Sequence, residues 1–307
     1  MYLTLTLNPS IDHFASVSSI NAGYPDAPSV NRCFNESFEG GGKGINVAKI
    51  LHRLGAPVTA SGIAAGFTGR EIIRTLETEG IPSSFIEVPG NTRINLKLRD
   101  SNGIETEING EGPKVSPDDL NHLIDVLNSS SFSTLFMSGS LPAGIGKDAY
   151  AVIMGSVSCP RIAVDTAGEA LLNCLPLHPF LIKPNASELS ALTGTSVNNS
   201  SPSDDIYSAA SSLQDKGARN VLVSLGGNGA CLLTEDGDFF STPGIRGDVV
   251  STIGAGDTML SSFIYALDKT GSAREALRFA NCCAAACAFC RGLPSSSELS
   301  SAVKEFS

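Results

Sequence analysis

The residues best suited to chemistry lie in Ser251-Thr-Ile-Gly-Ala-Gly-Asp257-Thr-Met-Leu, a glycine turn followed by an acid and an amphipathic helix. Gly254 and Gly256 allow the backbone to turn tightly, so that successive N–H groups point at one spot. The helix beginning there adds the positive end of its dipole. A hole of that kind suits the charge on a phosphoryl group in flight. Asp257 would be the general base that takes the proton of an attacking hydroxyl while the amides hold the phosphoryl oxygens. The plainer alternative is an acid that only stabilises a helix start.

Other loops share that logic. Glu39–Ala48, EGGGKGINVA, is not a Walker A loop, because Gly44 rather than Ser or Thr follows Lys43. It is not a dinucleotide fingerprint either. Its glycines admit a close approach, Lys43 would meet a phosphate charge and Asn46 would bond hydroxyls; a solvent-exposed loop is the alternative. Asn8-Pro-Ser-Ile-Asp12 ends a strand with a carboxylate able to accept from two vicinal hydroxyls, or is simply a turn. Lys183-Pro-Asn185-Ala-Ser-Glu188-Leu reads either as a capping box or as a holder of hydrated Mg2+ beside nucleotide phosphates. Ser224-Leu-Gly-Gly-Asn-Gly229 is either a plain hairpin loop or a nucleotide-binding floor.

These loops must be held by regular elements. Short apolar runs predict strands at Leu3–Leu7, Val58–Ala64, Leu135–Ser138, Arg161–Val164, Phe180–Ile182 and Asn220–Leu225. Helical patterns cover Ile45–Leu54, Asp118–Leu127, Asp204–Gln214, Gly256–Leu267 and Ala273–Phe289. The alternation implies βαβ units, a mainly parallel sheet covered on both faces, and ligands at the carboxyl ends of the strands. Two segments break the rhythm. Residues 11–36 are mixed and loop-like, and in 91–110 Ile94, Leu96 and Leu98 alternate with Asn95, Lys97 and Arg99 before Ser-Asn-Gly, a hairpin with one polar face. Together they suggest a small β lid, with 1–10, 37–90 and 111–307 forming the large domain. Thr195–Asp205 reads as an exposed loop.

Composition bounds the class. The 307 residues are 42% hydrophobic and 17% charged, with a net charge of −10, which suits a soluble acidic globule and argues against nucleic-acid or anionic-membrane partners. No basic start with a long apolar core opens the chain, and no run reaches the roughly 18–20 apolar residues that span a bilayer, so a cytoplasmic location is expected. Of eight cysteines, four sit in NCCAAACAFC as Cys282, Cys283, Cys287 and Cys290. Their Ala-rich context favours small buried residues packing a helix over a metal site.

Taken together, TLNPSID, GGKGINVAKIL, TRINLKL, SGSLPAG, KPNASEL, SLGGNGA and STIGAGD closely resemble the PfkB (ribokinase-like) sugar kinases, specifically the 1-phosphofructokinase and tagatose-6-phosphate kinase branch, along nearly the whole chain. The resemblance implies an α/β three-layer sandwich with a small β-sheet lid that often mediates homodimers, and ATP·Mg2+ as phosphoryl donor. It implies Asp257 as catalytic base and Gly254, Ala255 and Gly256 as the anion hole. Asp12, Gly42, Lys43 and Asn46 match sugar-contacting positions, Arg93 and Asn95 match lid residues near the substrate phosphate and sugar, and Ser138 lies between the two ligands. Lys183, Asn185 and Glu188 fall near ATP and its metal, the last two acting through water, with Ser224, Gly226, Gly229 and Asn281 along the nucleotide. The monovalent-cation loop of the family should lie near Thr252 and Cys287–Gly292, where the Cys-rich, Arg291-bearing sequence departs from the familiar pattern.

The string TRINLKL and Lys43 resemble the 1-phosphofructokinases, whereas VDTAGEALLNCL and KPNASELSAL resemble PfkB-type 6-phosphofructokinases about as well. The expected reaction is transfer from ATP to the 6-hydroxyl of D-fructose 1-phosphate, with Lys43 and Arg93 gripping the far phosphate and the lid excluding water. The alternatives are tagatose-6-phosphate kinase or 6-phosphofructokinase activity, or a non-catalytic phosphosugar sensor that reports by dimerisation.

Overall fold

A strand that is apolar on both faces needs cover on both faces, and that requirement sets the architecture. The computed structural model describes residues 1–23 and 29–306. Its strands are β1 (Tyr2–Thr6), β2 (Ser10–Val17), β3 (Cys33–Gly41), β4 (Val58–Ala65), β5 (Ser83–Val88), β6 (Arg93–Arg99), β7 (Glu105–Asn109), β8 (Thr134–Ser138), β9 (Arg161–Asp165), β10 (Leu181–Ile182), β11 (Asn220–Ser224), β12 (Gly229–Leu233) and β13 (Phe239–Pro243). Its helices are α1 (Lys43–Arg53), α2 (Gly66–Thr78), α3 (Pro117–Asn128), α4 (Ala149–Ser156), α5 (Gly168–Cys174), α6 (Ala186–Thr193), α7 (Ser203–Asp215), α8 (Ala255–Thr270), α9 (Ala273–Phe289) and α10 (Ser296–Phe306).

The large sheet has the order β13-β12-β11-β10-β9-β8-β1-β4-β5. From β5 to β11 neighbouring strands are parallel, whereas β12 and β13 add an antiparallel edge. Successive residues feed two cores. Leu3, Leu5, Leu135, Met137, Ile162, Val164, Val221 and Val223 pack with α3 to α7, while Tyr2, Phe136, Ala163 and Leu222 pack with α1, α2, α8 and α9. Helix α1 lies so close to β1 that a Cβ on Gly44 would run into Thr6 Oγ1 and the Leu5 carbonyl oxygen. The chain visits β4 and β5 on one side of β1 and returns at β8 on the other. The loops leaving β1 and β8 therefore diverge, and such a switch point opens a crevice at the strand ends.

A second sheet, β3-β2-β6-β7, stands apart from the first. Its registers set Asp12 opposite Glu39 and Asn95, and Lys97 opposite Glu107, so these polar residues share one face. Phe38, Ile94 and Ile108 lie on the other face and are exposed. The expected strands in the large sheet lie within about two residues of their observed ends, and the hairpin in 91–110 is β6 and β7. The loop-like reading of 11–36 is corrected: β2 occupies most of its first part, and β3 begins at Cys33 and crosses the boundary expected at 36/37. Alternation in β2 and β3 is masked by polar residues on one face and by a register shift between Phe14 and Ser16. Residues 24–28 of that segment lie outside the described residues. No helix among the described residues is long and apolar enough to cross a membrane.

Candidate active site

Gly254 precedes α8 with φ of 81°, and a Cβ there would lie 2.6 Å from Leu293 Cδ2. Both facts call for glycine. No side-chain cap satisfies the first-turn amides of α8, so the turn presents N–H groups of the kind that hold anions. Asp257 sits in that turn, 6% exposed, and Asn46 Nδ2 of α1 donates to its Oδ2 at 2.8 Å. Burial first, and then the nearby charge of Asp165, push the Asp257 carboxyl up to about 6, against the opposing effects of Asn46, Lys43 and Lys183. A carboxylate with that affinity for a proton is suited to general-base work near neutrality.

Two lysines converge beside it. Lys43 Nζ, from the first turn of α1, is 2.9 Å from Asp165 Oδ1, and Lys183 Nζ, following β10, is 3.4 Å from Asp165 Oδ2. A Cβ on Gly256 would lie 3.1 Å from Lys183 Nζ, which puts that ammonium against the start of α8. Burial alone would raise the Asp165 carboxyl, but Lys183 and Lys43 outweigh it and hold Asp165 below the usual carboxylate range. Burial likewise opposes the charge on Lys43, and Asp165 more than restores it. Ser138 Oγ is buried without a partner, at the end of β8 directly opposite Asp165. Asp165 was missed in the sequence; the signal was there, an acid closing the apolar strand Arg161–Val164.

Lys43 and Arg93, expected together on one phosphate, have different protein partners. Lys43 belongs to the Asp165 and Asp257 cluster, whereas Arg93 stands on the lid beside Asp12, with its Nε buried and unpartnered. Burial lowers the Arg93 guanidinium from its ordinary value and Asp12 partly restores it. Asp12 Oδ1 accepts from Ser10 Oγ at 2.8 Å and from Asn95 Nδ2 at 2.9 Å, and Asn95 Oδ1 is left over. Gly42, with φ of 126°, turns the chain from β3 into α1. A cavity of about 790 Å³ lies between the polar face of the second sheet and the elements around the large sheet, lined by Asp12, Gly41, Asn46, Lys97, Ser251 and Arg291 among others.

The remaining residues gather elsewhere. Asn185 and Glu188 form a reciprocal capping box at the start of α6: Asn185 N–H donates to Glu188 Oε2 and Glu188 N–H to Asn185 Oδ1, each at 2.8 Å. The capping reading is therefore correct, and it leaves Asn185 Nδ2 and Glu188 Oε1 outside the box, polar groups that suit the waters of a hydrated divalent cation. Ser224 bridges to Asn185 at the end of β11. Gly226 and Gly229 shape the β11–β12 hairpin, against which Thr242–Gly244 pack. Asn281 Nδ2 donates to the Pro243 carbonyl at 3.0 Å and borders a cleft of about 150 Å³ with Thr242, Gly244 and Arg278. Cys282, Cys283 and Cys287 are buried in α9. The Cys287 thiol is 3.4 Å from the Ile253 carbonyl oxygen, and Cys290 at the helix end is 3.4 Å from that of Gly292.

Comparison with known proteins gives the family and the fold. Residues 5–299 match the description "pfkB family carbohydrate kinase". The chain is 38% identical to the 1-phosphofructokinase of Borreliella burgdorferi over 281 residues, 91% of this chain and 89% of that one. It is 35% identical to the D-tagatose-1-phosphate kinase of Bacillus licheniformis over 302 residues, 97% and 96% of the two chains. Its fold is similar to that of Escherichia coli phosphofructokinase-2 solved with potassium, with a TM-score of 0.88 and 30% identity, covering 99% of this chain and 98% of that one. The same enzyme solved with fructose-6-phosphate gives 0.84 and 29% over the same shares.

If Asp257 is the base, Asp257→Asn lowers turnover in ATP-driven phosphorylation by roughly 10²–10⁴-fold and leaves ATP affinity nearly intact. In the unaltered protein the active form is then the ionised one, so kcat/KM falls as pH drops through about 6. Steady-state kinetics from pH 5 to 9 and ATP binding by calorimetry check both; near-normal turnover in the variant reduces Asp257 to a helix-start acid.

Proposed function

This chain belongs to the pfkB family of carbohydrate kinases, and on that footing we propose that it phosphorylates D-fructose 1-phosphate at the 6-hydroxyl, giving fructose 1,6-bisphosphate. The observation that carries the reading is Asp257, a buried carboxylate poised near neutrality at an uncapped helix start and joined through Asn46 to the cavity beneath the lid. In the transfer, the 6-hydroxyl oxygen bonds to the γ-phosphorus of ATP, the bond to the bridging oxygen breaks, ADP leaves, and the hydroxyl proton passes to Asp257.

Each remaining residue has a part in this proposal. The amides of Gly254, Ala255 and Gly256 hold the transferring oxygens, and Lys43 joins Lys183 there rather than on the far phosphate. Arg93 meets the far phosphate, which its buried, unpartnered Nε favours. Asp12 and Asn95 take sugar hydroxyls, with Gly42 and Asn46 beside them, and Ser138 lies between sugar and nucleotide. Ser224, Gly226, Gly229 and Asn281 line the nucleotide. Asn185 and Glu188 hold Mg2+ through water, and the ion would neutralise phosphate charge on ATP. The sheet of 11–36 and 91–110 is the lid, and its closure excludes water that would otherwise hydrolyse ATP.

The choice of fructose 1-phosphate rests on the lid string TRINLKL, on Lys43 and on likeness to 1-phosphofructokinases. A coupled assay across fructose 1-phosphate, fructose 6-phosphate, tagatose 6-phosphate and tagatose 1-phosphate tests it. The highest kcat/KM is expected for fructose 1-phosphate, and a strong preference for any of the others overturns the substrate. Two copies would also pair through the lid, whose outer face exposes Phe38, Ile94 and Ile108. Sedimentation should give a dimer that Phe38→Glu weakens; a wild-type monomer at micromolar concentration contradicts the pairing.

A further inference from the structure

Asp165 is the most enclosed acid of the site, 1% exposed at the end of β9. Its main-chain carbonyl accepts from the Gly139 amide at 3.0 Å, which fixes the strand end between the β8 exit and the two lysines. One oxygen faces Lys43 from α1 and the other faces Lys183 from the β10 exit. Two ammonium groups from separate elements are thus held on one carboxylate. Without it they would repel each other at close range, and two long side chains would have no reason to keep one geometry.

We propose that Asp165 is a positioning residue for phosphoryl transfer, fixing the Lys43 and Lys183 ammonium groups against the start of α8 and setting its own charge against that of Asp257. The inference rests on the kinase reading above. A travelling phosphoryl group then meets cations already in place, with no reorganisation at the moment of transfer. Asp165 itself moves no proton, because its lysines keep it ionised.

The charged and polar groups around Asp257 are the Asn46 amide and the Lys43 ammonium from α1, Asp165 from β9, Lys183 from the β10 exit and the neutral Cys287 thiol from α9. Asp165 also faces the Tyr150 hydroxyl of α4, and Lys43 feels Glu188 of α6. Asp165→Asn keeps the shape and removes one negative charge. Losing that charge lets the Asp257 carboxyl ionise more readily, while any loosening of Lys43 and Lys183 resists; the Asp165 charge acts on Asp257 more strongly than either lysine, so the acid limb of the kcat/KM profile moves down.

The test measures kcat and KM against pH for wild type, Asp165→Asn and Asp165→Glu with ATP and fructose 1-phosphate. For Asp165→Asn the acid limb is expected to drop by about one pH unit and kcat at pH 8 to fall about tenfold or more, with KM for the sugar changed less than about threefold. Asp165→Glu should return the limb towards its wild-type position. A lower kcat with an unmoved limb, at unchanged melting temperature, makes Asp165 merely structural and overturns the proposal. Should Asp165→Asn not fold, Lys43→Met gives an independent result: loss of that cation moves the limb up, and an unmoved limb shows that Asp165 does not hold Lys43 near Asp257. If the wild type phosphorylates none of the hexose phosphates, the kinase reading fails by itself. The NMR titration of the Asp257 carboxyl carbon in Asp165→Asn against wild type still decides whether Asp165 acts on it.

Discussion

Two carboxylates and two ammonium groups converge at the strand ends, three of them buried and Lys43 partly open to solvent, and the site depends on their mutual compensation. A buried charge is tolerated only when it is paired. Asp165 meets that condition through Lys43 and Lys183, and its position fixes theirs. Asp257 meets it less completely: one amide from Asn46, two cations shared with Asp165, and a like charge nearby. Incomplete compensation is what lifts its proton affinity into the range useful to a base, so the same arrangement that keeps the cluster folded also readies it for chemistry.

The rest of the structure follows from where those groups must stand. Ser138 and Asp165 end adjacent parallel strands, Lys183 follows the next, and Lys43 opens the helix packed against β1. A parallel sheet with a switch between β1 and β8 brings all of these exits to one edge. The second sheet carries Asp12, Arg93 and Asn95 on its polar face, with Asp12 lining the cavity. Its apolar outer face is the counterpart of that arrangement, since a sheet with one face on a cleft must cover or expose the other.

The legible part of the sequence was whatever is decided locally. The glycine turn into α8, the capping box at Asn185 and Glu188, and the buried strands of the large sheet each follow from neighbouring residues, so pattern alone located them. The segment before α1 was less legible, because β2 and β3 pair across a bulge and their polar face hides the alternation. Asp165 is only half legible, for a different reason. An acid closing the apolar strand Arg161–Val164 marks the position, but its partner Lys43 lies 122 residues away and is brought to it only by the strand order. The partner of Lys43 is hidden for the same reason: the turn from Gly42 aims it at Asp165 of β9, which no local pattern links to it.

The most direct measurement is an NMR titration of the Asp257 carboxyl carbon in the unliganded wild-type protein, assigned by its loss in Asp257→Asn. A midpoint near 6 is expected from burial beside Asp165. A midpoint at the ordinary aspartate value of about 4 would contradict the compensation that places the base, the two lysines and Asp165 in one working cluster.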